Sequence, residues 1–124
     1  MAEGEKALNK KSILSIFGMG GNDFEEAAEA FVKAGNAYKL DNQWQASGDA
    51  FMKAAEAHLK ADSTDAVNAY VEAANCFKRI NPNDAEKAFN AAIELYNNNG
   101  RFGMSARYTK DLAELYEQDN NKDS

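Results

Sequence analysis

The side chains that most often perform catalysis or bind metals are scarce in this chain of 124 residues, which has one histidine, His58, and one cysteine, Cys76. A single histidine excludes a two-histidine metal site. A carboxylate-bridged di-iron bundle needs Glu-x-x-His pairs, whereas Ala55 stands three residues before His58. His58 also occupies an aromatic position of the repeat described below, which favours a packed structural role. Cys76 lies beside Phe77 in an apolar helical stripe, where a thiol acts as a small hydrophobic side chain.

The sequence contains neither of the glycine-rich motifs that bind phosphates or nucleotides. Gly18, Gly20 and Gly21 have neither the third glycine of a dinucleotide fingerprint nor the Gly-Lys-Ser/Thr of a phosphate-binding loop. Acidic residues alternate with lysines, as on a solvated surface. The net charge of −6 argues against non-specific nucleic-acid binding. We therefore predict no catalytic residue, no metal and no cofactor, and neither nucleic acid nor a small-molecule substrate as a ligand.

The chain instead repeats one helical unit, marked by two aromatic series that recur every 19–20 residues. The first series is Phe31, Phe51, Tyr70 and Phe89, and the second is Tyr38, His58, Phe77, Tyr96 and Tyr116. Around them, apolar residues follow the i, i+3, i+4, i+7 pattern of an amphipathic helix. The composition agrees, because 23 alanines stand against seven valines and isoleucines. Alanine favours helix, whereas β-branched residues favour sheet.

The predicted helices span 24–40, 43–61, 64–80, 83–98 and 101–118, after a short helix within 3–12. Capping boxes at Asn22–Glu25 and Asn83–Glu86, Pro82 before a helix start and Gly100 as a terminator support these limits. Short connections place neighbouring helices antiparallel. The sequence predicts an all-α fold: a right-handed α-solenoid, or twisted sheet of antiparallel helical hairpins, like tetratricopeptide hairpins with a longer repeat. The alternative is a closed four-helix bundle, which would not explain the fixed aromatic period.

The segment Ser12–Gly21 differs from the repeats because it concentrates large apolar side chains before glycines. These include Ile13, Leu14, Ile16 and Phe17. The segment is far shorter than the roughly 20 residues of a transmembrane helix, and residues 1–12 do not resemble a secretory signal, so we expect a cytoplasmic location. One interpretation is weak insertion into a membrane surface, which would need a second attachment. The other is a cap on the first hairpin, buried against Phe24 and Phe31.

A local basic cluster forms a second candidate surface in this acidic chain. Lys78 and Arg79 end the third helical unit, and Arg101, Arg107 and Lys110 lie on the last one. A favourable interaction with a helix C-terminus, about 0.3–1 kcal/mol, explains Lys78 and Arg79 without any function. The alternative is a docking surface for an acidic helical partner.

The sequence also resembles the soluble NSF attachment protein (alpha-SNAP) family, in its N-terminal part. The matching stretches are 12–18, 24–27, 42–51, 70–79, 100–102 and 113–116, and the resemblance they carry spans nearly the whole chain in register. The resemblance implies a twisted sheet of helical hairpins that binds the SNARE four-helix bundle and recruits the ATPase NSF for its disassembly. The protein would be a non-catalytic adaptor, peripheral on the cytosolic face of membranes. A generic tetratricopeptide-like scaffold, with the apolar segment as its cap, is the alternative.

The resemblance also assigns residues. The family's membrane-attachment loop corresponds to Ile13, Leu14, Ile16 and Phe17, and the basic residues that face SNARE acids correspond to Lys78, Arg79, Arg101 and Arg107. Three regions follow: residues 1–23 as a short helix plus attachment loop, 24–118 as the hairpin domain and 119–124 as a polar tail. Because the family continues to a C-terminal bundle that stimulates NSF, the resemblance implies that this chain alone does not activate the ATPase.

Overall fold

A computed structural model describes residues 21–123, and the side-chain environments of 23–118. This part of the chain is all-helical, as predicted. It contains five helices, which we number α1 (Gly21–Leu40), α2 (Trp44–Lys60), α3 (Ala66–Phe77), α4 (Pro82–Asn98) and α5 (Phe102–Asp123). The predicted helix within 3–12 lies outside the described residues. No helix among the described residues has the length and apolar character needed to cross a membrane.

The helices stack in chain order rather than closing into a bundle. Within residues 21–123, each helix packs extensively only against the helices that precede and follow it. Side-chain bonds then join helices two apart: Lys39 Nζ lies 3.1 Å from Glu72 Oε2, between α1 and α3, and Gln45 Nε2 donates to Asp84 Oδ2 at 3.0 Å, between α2 and α4. The helices therefore form two layers of a helical-hairpin solenoid, which confirms the predicted fold class.

The aromatic period corresponds to the core of this stack. Every member of the first series is buried, and so are His58, Phe77 and Tyr96 of the second. Tyr38 is only partly buried and Tyr116 is 45% exposed. These two residues lie on the first and last described helices, each of which has a described neighbour on one side only. Alanines fill the remaining core positions and let the helix axes approach.

Three of the turns between helices are closed by the same backbone hydrogen bond. In each turn, the acceptor is the carbonyl oxygen of the residue that belongs to the second aromatic series. The carbonyl oxygens of Tyr38, His58 and Tyr96 accept from the backbone N–H five residues later, at 2.9, 2.9 and 2.8 Å. The intervening residues Asn42, Asp62 and Gly100 have positive φ angles of 58°, 57° and 74°. This is the Schellman geometry, which glycine, asparagine and aspartate tolerate best.

Gly100→Ala should therefore lower the free energy of unfolding by about 1–2 kcal/mol, the cost of a left-handed alanine. Space is not the reason, since no atom of the described residues lies within 4 Å of a Cβ added there. Thermal or urea unfolding followed by circular dichroism measures the effect. At the matching position of the second turn, Asp62→Gly should not lower the free energy of unfolding, because glycine tolerates a positive φ. Equal losses in both variants would contradict the proposed conformational origin.

At the turn between α3 and α4, the end of α3 and the start of α4 both differ from the prediction. The predicted cap Asn83 lies inside α4, and Asn81 is the actual N-cap, whose side-chain oxygen accepts from the Asp84 N–H at 3.3 Å. Pro82 is the first helical residue, where its missing N–H costs no hydrogen bond. Pro82 also cannot donate the closing bond made in the other three turns, and the Phe77 carbonyl oxygen accepts from the Asn81 N–H at 2.6 Å instead. α3 ends at Phe77 rather than at residue 80.

Three further predicted limits are wrong. α5 extends to Asp123 rather than ending at residue 118, so it runs into the predicted polar tail 119–124. α1 begins at Gly21, so Asn22 of the other predicted capping box lies within the helix. α3 begins at Ala66 rather than at residue 64. There the Ser63 hydroxyl accepts from the Asp65 N–H at 3.1 Å, a local turn that competes with helix.

Candidate binding surfaces

The lone histidine links two helices. His58 is 6% exposed, and its Nδ1 lies 3.0 Å from Oε1 of Glu25, so that the bond joins α2 to α1. An Asp65 carboxylate oxygen lies within 4.8 Å of both partners. The sequence predicted a packed histidine but not these two carboxylates, because they come from the second turn of α1 and from the turn before α3. The hydrogen bond to Glu25 explains the burial of the ring without a metal ion.

The lone cysteine is a core residue. Cys76 is 1% exposed, and its Sγ lies 3.4 Å from the Ser47 hydroxyl. That hydroxyl also donates to the carbonyl oxygen of Gly35 at 2.7 Å. The thiol thus packs where α1, α2 and α3 meet, which agrees with its interpretation as a small hydrophobic side chain.

Lys78 and Arg79, which we call the α3 pair, are exposed in the turn after α3. The Arg79 guanidinium carbon lies 4.3 Å from the centre of the Trp44 ring, a cation–π contact between two turns. Both residues also line a cleft of about 350 Å³ whose other wall, on α5, includes Asp111 and Glu114. The α3 pair therefore shares its surroundings with acidic side chains of the same chain.

Arg101 and Arg107, the α5 pair, flank two tyrosines. The Tyr96 and Tyr108 rings stack with their centres 5.7 Å apart and an interplanar angle of 1°. The Arg101 guanidinium carbon lies 5.7 Å from the Tyr96 ring centre, and that of Arg107 lies 5.7 Å from the Tyr108 ring centre. Burial and the neighbouring Tyr108 raise the pKa of Tyr96, and the two arginines oppose the rise. The two guanidinium groups thus form a positively charged surface that lies over the stacked tyrosine rings.

The structure does not bring the two pairs together. The α3 pair lies where α4 begins, and Arg101 lies where α4 ends. Because α4 has 17 residues, the two positions are separated by about 25 Å along the helix axis. Arg107 lies six residues, or about 9 Å, beyond Arg101 on α5 and one turn before Asp111, which lines the cleft of the α3 pair. The predicted basic cluster is thus spread along α4 and α5 rather than compact.

A polar network holds the α3 pair's turn in place. The amide of Gln45 donates to Asp84 at 3.0 Å and to Asp49 at 3.2 Å. The amide of Asn81 donates to Gln45 at 3.2 Å and to Asp84 at 2.9 Å. Burial raises the pKa of Asp49; the Gln45 hydrogen bond opposes that rise and Asp84 adds to it. This network connects the start of α2 to the start of α4 across the end of α3.

A groove of about 410 Å³ runs between α1 and α3, above α2, and the sequence analysis missed it. We call it the α1–α3 groove. Its lining residues are Glu29, Val32, Lys33, Phe51, His58, Asp65, Asn68, Ala69 and Glu72. They come from three helices and one turn, so no local pattern marks them. The predicted attachment residues Ile13, Leu14, Ile16 and Phe17 lie outside the described residues.

These features define a class of protein: an α-helical repeat protein that presents grooves and charged, aromatic-backed surfaces on a stacked scaffold. The family model described as "Soluble NSF attachment protein, SNAP" matches residues 1–124. The chain belongs to the soluble NSF attachment protein family.

Named relatives agree with this assignment. The chain is 43% identical over 106 residues to a probable vesicular-fusion protein sec17 homolog of Schizosaccharomyces pombe, covering 85% of this chain and 36% of the relative. It is 40% identical over 120 residues to human alpha-soluble NSF attachment protein, covering 94% and 40%. It is 42% identical over 101 residues to vesicular-fusion protein SEC17 of Komagataella phaffii, covering 81% and 34%. The chain thus spans well under half the length of these relatives.

Proposed function

We propose that this chain is a non-catalytic adaptor in vesicle-mediated membrane fusion. It binds an assembled SNARE four-helix bundle through its basic residues and a membrane surface through Ile13, Leu14, Ile16 and Phe17, on the cytosolic face. By holding the bundle it contributes to the recruitment of NSF, the ATPase after which its relatives are named. The proposal extends to this chain the role that family membership and the names of the relatives suggest.

The observation that supports SNARE binding most directly is the arrangement of the two basic pairs. Each pair has an arginine against an aromatic ring, and the basic residues extend from the α3 pair at the start of α4 to Arg101 at its end, on a stacked scaffold. An elongated partner with acidic side chains along its surface, such as a helical bundle, can contact both pairs, whereas a compact acidic ligand can contact only one. Complementary charge at such a surface increases the association rate and specificity.

The direct test is a pull-down of the full chain with an assembled SNARE bundle. We expect capture that weakens as the salt concentration rises, because the proposed contacts are exposed ion pairs. The separate, unassembled helices form the control, since they lack the folded bundle surface. Equal capture of unassembled helices, or capture that is independent of salt, would contradict the proposal and favour a generic peptide-binding scaffold.

The membrane contact has its own test. Replacement of Ile13, Leu14, Ile16 and Phe17 by serine should reduce flotation with liposomes by about tenfold or more. Each large apolar side chain gives roughly 1.5–3 kcal/mol when fully buried, and a part of that at an interface. The matched control replaces exposed apolar residues elsewhere by serine, namely Leu40 and Ile80. Flotation that is unchanged by the four serines would exclude this segment as the attachment site.

A further inference from the structure

The α1–α3 groove combines an apolar floor with a negatively charged rim. Val32 of α1, Phe51 of α2 and Ala69 of α3 form its apolar part. Three carboxylates, Glu29, Asp65 and Glu72, and one cation, Lys33, line it as well. Glu72 is paired with Lys39 at 3.1 Å, so Glu29 and Asp65 outweigh Lys33 and keep the rim negative. Its complementary ligand is a short peptide that combines large apolar side chains with positive charge.

A segment of this chain has that composition and is attached next to the groove. Residues 10–17 read Lys-Lys-Ser-Ile-Leu-Ser-Ile-Phe, with two cations, four large apolar side chains and no acid. Phe17 is four residues before Gly21, where α1 begins. Four residues of extended chain span about 14 Å at most. One turn further, Glu25 bonds to His58, which lines the groove. The segment is therefore tethered at one end of the groove.

We propose that residues 10–17 dock in the α1–α3 groove of the same molecule when no membrane is present. Ile13, Leu14, Ile16 and Phe17 cover the apolar floor, and Lys10 and Lys11 face the carboxylates of the rim. The tether gives the segment an effective concentration in the millimolar range, so even weak contacts hold it. The inference rests on the proposed membrane role of the same segment: docking in the groove and insertion into lipid compete for the same side chains.

Zero-length cross-linking with a carbodiimide tests docking directly, because it joins a lysine to a carboxylate only when the two are in contact. In dilute full-length protein without lipid, we expect monomeric products in which Lys10 or Lys11 is joined to Glu29, Asp65 or Glu72. Glu114 and Glu117 on α5 are the internal controls and should not react with these lysines. Cross-links to the α5 controls in equal yield, links only between two molecules, or no links at Lys10 and Lys11 would each overturn the inference.

Membrane binding gives the second readout. Glu29→Lys repels Lys10 and Lys11, and should strengthen flotation with neutral phosphatidylcholine vesicles. If the segment is docked for nine-tenths of the time, its release increases the apparent affinity about tenfold. Glu117→Lys is the matched control, with the same charge change on an exposed α5 position outside the groove. Neutral lipid removes any direct attraction of the new lysine for the vesicle.

The two experiments separate the inference from the function on which it rests. Cross-links at the groove with no flotation of any variant would support docking and reject the membrane role. Flotation that needs the four apolar residues but is equal in wild type, Glu29→Lys and Glu117→Lys would keep the membrane role and overturn the inference. Circular dichroism melts of both lysine variants verify that they remain folded.

Discussion

Gly48→Ala is expected to lower the free energy of unfolding by about 1–3 kcal/mol, although it adds one methyl group and raises helix propensity. A Cβ at Gly48 would overlap the ring of Phe77, which is only 2% exposed. The glycine therefore allows α2 and α3 to pack closely against one aromatic ring. Because that ring belongs to the main core cluster, it cannot move away without disturbing its neighbours. Thermal or urea unfolding followed by circular dichroism measures the effect.

Gly103→Ala is the matched control for that prediction. Gly103 lies in the first turn of α5, and in the part of the chain that the structure describes no atom comes within 4 Å of a Cβ added there. The same chemical change should then raise stability by up to about 1 kcal/mol, because alanine favours helix. The two variants should shift the melting temperature in opposite directions. A shift of the same sign would show that helix propensity, rather than close packing, governs both positions.

Charge reversal of the α5 pair, Arg101→Glu with Arg107→Glu, is expected to weaken binding to the assembled SNARE bundle about tenfold or more at low salt. Reversal replaces attraction to an acidic partner by repulsion, and like charges across an interface are strongly unfavourable. Reversal of the α3 pair, Lys78→Glu with Arg79→Glu, should have a smaller effect. That pair shares a cleft with Asp111 and Glu114, so the field it presents to a partner is already reduced.

Titration of the bundle at several salt concentrations measures both effects. The α5 double variant should also lose most of the salt dependence, since the lost contacts are the screened ones. A control double variant, Lys60→Glu with Lys87→Glu, makes the same change of net charge at exposed lysines outside both pairs. If it weakens binding as much as the α5 variant, the effect is one of total charge and the proposed surface is wrong.

The sequence predicted the helices well because their signals are local. The aromatic period and the alanine-rich stripes recur within each unit, and the structure confirms an all-helical stack. Helix ends were less accurate, since they depend on hydrogen bonds that several residues can provide. Asn81 and Asn83 are both capping residues by type, and the position of Pro82 between them decided the outcome. Gly100 was predicted correctly because glycine adopts the positive φ of a helix terminator most readily.

For the candidate surfaces too, some features could be predicted from the sequence and others could not. The sequence by itself determined which residues are basic, which segment is apolar, and, by resemblance, the family. It treated Lys78, Arg79, Arg101 and Arg107 as one face, because charges were counted along the chain. Only the tertiary structure showed that α4 places Arg101 about 25 Å along its axis from the α3 pair, with Arg107 at an intermediate level on α5, and that each pair lies against its own aromatic group.

The α1–α3 groove and the contact between His58 and Glu25 also depended on the tertiary structure. Their residues are up to 43 positions apart in the chain, from Glu29 to Glu72, and no periodic pattern relates them. Local interactions decide which segments become helices, because each helix forms its hydrogen bonds within itself. Packing of three successive helices decides which side chains meet in a groove, and that depends on turn lengths and on the contact of Phe77 with Gly48. The sequence therefore determined the building unit, and the stacking of units determined the surfaces.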